Sequence, residues 1–264
     1  MNSDNRWLKI RNLEAWRNNK RIFTNLSLDL YYGQNVVILG PNGSGKSSLL
    51  NLINRTLYPK VTKNSEIKIF EKTEINIWNL RNRIGFLLEE IDKRVDSNTN
   101  VNDLILSGFQ GNFKIKNEGS LSPEKQDSLA KIINQMDLQK IITKTYRTLS
   151  DGQKRRVLIA RALIHNPKIL ILDEPTNNLD FKSTCNLLKI LEEICNRQIS
   201  LVQVTHNVDT IIKSINRVIL MKNGTIVDDG SPTQILTSDK LSELYETELK
   251  VVNSNGFWRL VPRI

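Results

Sequence analysis

Short apolar segments separated by turns run along most of the chain, and their lengths are those of buried β-strands. Near the start they predict strands at Leu8–Leu13, Thr24–Leu30 and Asn35–Leu39. A Gly-rich turn at residues 40–47 follows the third strand, and residues 47–54 then place apolar side chains on one helical face. This succession of strand, turn and helix is typical of an α/β fold.

Polar loops and helices replace this pattern between about residues 92 and 148. The sequence Ser122-Pro123-Glu124 predicts a helix start, because proline favours the first helical position. The dipeptide Asn223-Gly224 predicts a hairpin. Further elements are predicted as strands at Arg83–Leu88, Ile169–Leu172, Ile199–Thr205 and Arg217–Lys222, and as helices at Ser150–His165 and Lys182–Cys195.

The layout predicts one domain, residues 1–264, built on a parallel α/β core. The core spans about residues 1–90 and 166–236, a helical insert spans about 91–165, and a C-terminal extension covers 237–264. Neither internal repeats nor low-complexity tracts interrupt this order.

Composition limits the function classes. Hydrophobic residues make up 39% of the 264 and charged residues 25%, which is typical of a soluble globular protein. No apolar run approaches the roughly 18–20 residues that cross a bilayer, and the start MNSDNRW lacks the apolar core of a secretory signal. The net charge of +10 favours anionic partners. Cys185 and Cys195 would lie about 15 Å apart on one helix, too far for a disulfide, which favours a reducing, cytoplasmic setting.

The clearest chemical signal is the segment that runs from Gly40 to Ser47, which matches G-x-x-x-x-G-K-[ST] between a predicted strand and a predicted helix. Glycines allow backbone N–H groups to face phosphate oxygens, and the helix N-terminus adds positive potential. We expect Lys46 to hold the β- and γ-phosphates of a nucleotide and Ser47 to bind Mg²⁺. The predicted nucleotide-binding residues here are Gly40, Pro41, Asn42, Gly43, Ser44, Gly45, Lys46, Ser47 and Ser48.

Two adjacent acids follow the apolar run Ile169–Leu172. A strand buried on both faces delivers its next residues at the C-terminal edge of the sheet, where α/β proteins bind ligands. Asp173 is therefore predicted to hold Mg²⁺ through water, and Glu174 to polarise the attacking water.

A third segment, Leu149-Ser150-Asp151-Gly152-Gln153, opens the next predicted helix with Ser150 as its N-cap. It resembles the signature sequence of ATP-binding cassette (ABC) ATPases, usually Leu-Ser-Gly-Gly-Gln. The motifs described above match this family in order and spacing over about residues 8–236, together with Asn177-Asn178-Leu179-Asp180 as D-loop and His206 as switch histidine.

The resemblance implies a P-loop NTPase core with an antiparallel β subdomain and an inserted α-helical subdomain. It also implies that Ser150, Gly152, Gln153 and Asp180 contact nucleotide and that His206 is catalytic beside Glu174. Trp16 lies 30 residues before Lys46, where the family stacks an aromatic ring on adenine; the alternative is a half-buried packing residue.

Two positions depart from the family pattern. Asp151 replaces a glycine in the signature, and Glu89 stands in the Q-loop where glutamine is usual. We expect Glu89 to act as a third Mg²⁺ ligand because hard cations prefer carboxylate oxygen; the alternative is that it points to solvent. The basic group Lys154-Arg155-Arg156 is expected to be a solvated helix face rather than a ligand site.

The resemblance implies an ATPase that pairs with a second cassette, a copy or a close homologue, and drives a separate transmembrane permease subunit. It would then lie on the inner face of the cell membrane, with ATP and Mg²⁺ as cofactors and no direct contact with nucleic acid. The stretch Val101-Asn-Asp-Leu-Ile-Leu-Ser-Gly108-Phe is similar to metal- and molybdate-type importer ATPases. The alternative functions are iron–sulfur cluster assembly and work linked to nucleic acid or ribosomes.

Overall fold

The computed structural model describes residues 5–60, 62–88, 91, 93–111 and 121–263. These residues form two compact units. The first contains the described residues up to Ile77 together with those from Ser200 onward, and the second runs from Trp78 to Ile199.

The elements that the sequence predicts lie close to their predicted positions, and the structure contains further strands and helices that it does not predict. In chain order the strands are β1 (Arg6–Arg17), β2 (Lys20–Tyr31), β3 (Val36–Leu39), β4 (Glu66–Ile69), β5 (Ile84–Leu87), β6 (Ile169–Asp173), β7 (Ser200–Thr205), β8 (Arg217–Lys222), β9 (Thr225–Gly230), β10 (Leu249–Ser254) and β11 (Phe257–Pro262). The helices are α1 (Lys46–Ile53), α2 (Ile77–Arg83), α3 (Val101–Leu106), α4 (Pro123–Gln135), α5 (Asp151–Leu163), α6 (Phe181–Cys195), α7 (Pro232–Ile235) and α8 (Ser238–Tyr245).

An antiparallel sheet in the order β2-β1-β4 forms one layer of the first unit. Strands β1 and β2 are longer than predicted because their pairing continues to a tight turn, where Arg17 faces Lys20. Asn18 and Asn19 form that turn with φ of 50° and 61°, values that asparagine tolerates better than most residues. The antiparallel subdomain expected from the family resemblance is therefore present.

The second layer of this unit has β3 at its centre. Strand β3 pairs in parallel with β7 on one side and with β8 on the other, so that Ile38 lies between Val204 and Ile219. All four residues of β3 are buried, as expected for a strand covered on both faces. The Asn223-Gly224 turn joins β8 to the antiparallel β9, which confirms the predicted hairpin.

The second unit contains the parallel pair β5–β6 and most of the helices. Helix α5 packs against α3 and β5, and its half from Val157 to Leu163 is buried. The Arg156 side chain donates to the carbonyl oxygens of Met136 and Asp137, each at 3.0 Å, just beyond the last turn of α4. Expecting Arg156 to be part of a solvated face was wrong, because the end of α4 supplies carbonyl acceptors that local sequence does not reveal.

The C-terminal residues belong to the first unit. Helix α8 packs against β10, and β10 pairs with β11 through a turn at Asn255-Gly256. In the part of the chain that the structure describes, no helix combines the length and apolar character needed to cross a membrane.

Candidate nucleotide-binding site

The Gly-rich loop connects β3 to α1, as its sequence predicts. Lys46 begins α1 and is only 6% exposed. Its Nζ donates to the carbonyl oxygens of Gly40 at 2.8 Å and Pro41 at 2.9 Å, so the loop folds around its own ammonium group. Gly45 precedes the helix with φ of 103°, in the left-handed region, and a Cβ there would lie 2.9 Å from the Phe23 ring. The glycine is therefore needed for both the backbone turn and the packing.

A contact that the sequence does not reveal supports this loop. The backbone N–H of Gly224, in the β8–β9 turn, donates to the carbonyl oxygen of Ser44 at 2.9 Å. The Ser44 side chain is 2% exposed, and its hydroxyl has no hydrogen-bond partner within the described residues. A buried hydroxyl without a partner is costly, so a ligand that accepts a hydrogen bond here would be favoured.

Two other predicted site residues lie in the same unit. His206 directly follows β7, and the carbonyl oxygen of His206 accepts a hydrogen bond from the Tyr245 hydroxyl at 2.8 Å. Trp16 is a half-buried residue near the end of β1. The Lys60 ammonium lies 5.2 Å from the centre of the Trp16 ring, a cation–π distance.

The acidic pair lies in the second unit, at the end of β6. Asp173 is the last residue of that strand and is 3% exposed. Glu174 has φ of 44°, which is rare for a residue with a side chain. Such strained positions occur preferentially at functional sites, and this one redirects the chain immediately after the buried strand.

The signature segment forms a complete capping box at the start of α5. The Ser150 hydroxyl accepts from the backbone N–H of Gln153 at 3.3 Å, and the Gln153 side chain accepts from the backbone N–H of Ser150 at 3.1 Å. Gly152 lies against Ser183 of α6, where an added Cβ would be 2.6 Å from the serine hydroxyl. Asp151 keeps its side chain 67% exposed and lies 3.6 Å from the Lys154 ammonium, which offsets the charge added to this segment.

Asp180 is the N-cap of α6. Its carboxylate accepts from the backbone N–H of Ser183 at 2.7 Å and from the Ser183 hydroxyl at 3.2 Å. These hydrogen bonds, led by the backbone one, hold the pKa of Asp180 below its usual value. Glu89, the predicted third Mg²⁺ ligand, lies outside the described residues.

The buried lysine, the glycine loop and the acidic strand end define this protein as a P-loop ATPase. More narrowly, the chain belongs to the ABC transporter family, whose family model matches residues 23–177. The predicted fold class and ATPase activity are thereby confirmed: the protein binds and hydrolyses ATP as the nucleotide-binding subunit of an ABC transporter.

Individual relatives agree with this assignment. The chain is 32% identical to the uncharacterized ABC transporter ATP-binding protein YmeB of Lactococcus lactis, over 97% of this chain and 98% of that protein. It is 33% identical to the energy-coupling factor transporter ATP-binding protein EcfA1 of Ligilactobacillus salivarius, over 85% of this chain and 77% of that one. Among solved structures, cbiO1 of Clostridium perfringens, part of the ABC transporter complex cbiONQ, matches with a TM-score of 0.74 at 26% identity, covering 90% of this chain and 94% of its own.

Proposed function

We propose that this chain works as one half of a paired ATPase that drives a separate membrane subunit. The observation that carries the proposal is the loop from Gly40 to Ser48. Its lysine is buried at the start of α1, and its Ser44 hydroxyl is buried without a partner among the described residues. A triphosphate would supply the missing acceptor and would meet the positive end of the helix.

We infer that Mg²⁺ accompanies the nucleotide. Among the residues that the structure describes, no group of three or more His, Cys, Asp or Glu could hold a metal by itself. That fits Mg²⁺, which proteins usually bind through one or two carboxylates together with substrate phosphates. The family resemblance assigns this role to the Ser47 hydroxyl and the Asp173 carboxylate, and the ion would neutralise charge on the phosphates. Glu89 stays a predicted third ligand.

The proposed hydrolysis of ATP needs one general base and one hydrogen-bond donor to the γ-phosphate. A water oxygen bonds to the γ-phosphorus, the bond from that phosphorus to the bridging oxygen breaks, and ADP leaves. The Glu174 carboxylate accepts the proton of the attacking water, and the His206 imidazole donates a hydrogen bond to the γ-phosphate. The proposed role of Trp16 is to stack on adenine.

The same proposal assigns the signature segment to the partner's nucleotide. Ser150, Gly152 and Gln153 lie at the N-terminus of α5, where the positive end of the helix dipole favours an anion. Asp180 would contact the same composite site from the start of α6. A second cassette would thus complete each ATP site.

The membrane subunit is proposed to contact the second unit from the inner face of the cell membrane. Trp78 of α2 is 54% exposed, and its ring lies beside Gly111, whose carbonyl oxygen accepts from Arg81 at 3.1 Å. An exposed tryptophan held beside a fixed backbone suits a protein partner. The net charge of +10 suits a position close to anionic lipid.

The decisive test is Glu174→Gln, with Glu193→Gln on the exposed side of α6 as control. We expect Glu174→Gln to keep ATP affinity and slow hydrolysis by about 10²–10⁴, the usual contribution of a positioned acid–base group. Phosphate release and equilibrium ATP binding measure the two effects. Hydrolysis at the parental rate in Glu174→Gln would remove the proposed base; a matching loss in Glu193→Gln would show a general effect of lost charge.

A further inference from the structure

The segment from Thr205 to Thr210 is built around two buried threonines. Thr205 and Thr210 have 0% and 2% exposure. The Thr205 hydroxyl accepts from the backbone N–H of Asn207 at 3.0 Å, and the Thr210 hydroxyl donates to the Asn207 carbonyl oxygen at 2.8 Å. The backbone just after the switch histidine is therefore fixed by its own neighbours.

The backbone of His206 itself receives a contact from far along the chain. Tyr245 is the last residue of α8, and its hydroxyl donates to the His206 carbonyl oxygen at 2.8 Å across 39 residues of sequence. A hydrogen bond to this carbonyl restricts the backbone dihedral angles of His206. Those angles set the direction in which the imidazole leaves the chain.

Helix α8, which carries Tyr245, is itself held in place by contacts with β8. The Lys222 ammonium pairs with the Glu246 carboxylate at 2.7 Å and donates to the Glu243 carbonyl oxygen at 3.0 Å. Lys222 ends β8 and directly precedes the turn in which Gly224 supports the phosphate-binding loop. The helix that carries Tyr245 is therefore tied to the hairpin that shapes the nucleotide site.

The C-terminal hairpin, formed by β10 and β11, also supports the segment that follows His206. Strand β11 lies against the turn Val208–Thr210. The Ser242 hydroxyl accepts from the backbone N–H of Leu249 at 2.9 Å, and the Ser238 hydroxyl accepts from that of Val251 at 3.0 Å. Helix and hairpin thus form one support beneath residues 206–210.

We propose that Tyr245 is a positioning residue for His206, and that the C-terminal extension tunes hydrolysis through this hydrogen bond. The proposal rests on the catalytic role proposed for His206. Hydrolysis depends steeply on the placement of such a group, so a small rotation of the imidazole lowers the rate without weakening ATP binding.

Tyr245→Phe removes only the hydroxyl. One neutral hydrogen bond corresponds to a change of about 2- to 13-fold. We expect kcat for ATP hydrolysis to fall by that factor, while KM for ATP stays at the parental value. Tyr58→Phe is the matched control, because Tyr58 is 66% exposed and its hydroxyl serves no proposed role; it should leave kcat unchanged.

A second measurement reports on position directly. The chain has two histidines, His206 and His165, which lie in different units. With ¹³C-labelled histidine, the NMR spectrum of the imidazole groups contains one set of signals from each. Tyr245→Phe should move the His206 signals and leave those of His165 in place; His206→Ala assigns the two sets.

The kinetic and NMR results together test whether Tyr245 positions His206. A lower kcat together with moved His206 signals supports the proposal. Unmoved His206 signals overturn it, whether or not kcat falls, since a fall would then reflect general loosening. If the signals move while His206→Ala hydrolyses ATP at the parental rate, the positioning contact is supported and the catalytic role of His206 is overturned.

Discussion

The Trp16 ring lies half-buried on β1 with the Lys60 ammonium 5.2 Å from its centre. A base stacked on an aromatic side chain gains about 1–3 kcal/mol. If Trp16 stacks on adenine, Trp16→Ala should weaken ATP binding by about 5- to 150-fold, while Trp16→Tyr should largely preserve it. Titration with a fluorescent ATP analogue measures the affinity.

The control for this experiment is Trp78→Ala, which removes another indole that is 54% exposed and has no proposed contact with nucleotide. Its ATP affinity should equal that of the parent. Equal affinity in Trp16→Ala as well would return Trp16 to the alternative role of packing under Lys60.

The other histidine, His165, has a buried imidazole whose pKa is lowered. Both ring nitrogens are buried without hydrogen-bond partners among the described residues, and burial followed by the nearby Arg161 lowers the pKa to about 4 from 6.5. Between those values the unfolded chain binds more protons than the folded one. The neutral histidine therefore supports folding fully above about pH 6.5, and this stability is lost as the pH falls toward 4.

We expect the free energy of unfolding to fall by about 3 kcal/mol from this group across that interval. His165→Phe should have a flatter pH dependence, because the phenyl ring cannot bind a proton. Urea unfolding of both proteins at pH 7 and pH 4.5 isolates the effect, since other titrating groups are common to the two. Parallel curves would show that His165 reaches solvent.

At the scale of elements, the β8–β9 hairpin does more than join two strands. Its Gly224 has φ of 76°, and an added Cβ would lie 1.7 Å from the Ile22 carbonyl oxygen. Gly224→Ala should therefore cost about 2–4 kcal/mol of stability and also weaken ATP binding, because the turn would withdraw its N–H from Ser44.

Gly33→Ala is the matched control. Gly33 has nearly the same φ, 78°, but nothing lies within 4 Å of its added Cβ. Gly33→Ala should lower the free energy of unfolding only by the penalty for a left-handed backbone, about 1–2 kcal/mol, and should leave ATP affinity unchanged. Denaturant unfolding and ATP titration of both variants test this, and equal losses would mean that the contact with Ile22 is unimportant.

The sequence predicts elements well where the signal is local. The phosphate loop, the apolar strands β3, β6 and β7, and the Asn223-Gly224 hairpin follow from patterns within a few residues. The Asn255-Gly256 turn carried the same hairpin signal, with Val251 and Leu260 facing each other across it, but this hairpin was not predicted. The phenol of Tyr245, the cation over Trp16 and the glycine behind Ser44 could not be predicted, because their partners lie far away in sequence.

At the scale of the whole molecule, the chain has one phosphate loop and one signature segment. If each ATP site combines the loop of one chain with the signature of another, activity requires association. The ATPase rate per chain should rise with protein concentration in the absence of a membrane partner, and Glu174→Gln with ATP should accumulate a dimer visible by size-exclusion chromatography with light scattering. A concentration-independent rate from a monomer would exclude the paired site.

The place of β3 between β7 and β8 has a consequence for biosynthesis. The ribosome makes β3 before both of its neighbours, which begin at residues 200 and 217, more than 160 residues later. At about 5–20 residues per second, this strand waits roughly 8–35 seconds for its partners. During that time its Val-Val-Ile-Leu core is a hydrophobic segment that chaperones can bind and that other nascent chains can pair with. The strand that leads into the phosphate loop is thus made long before either of the strands that pair with it.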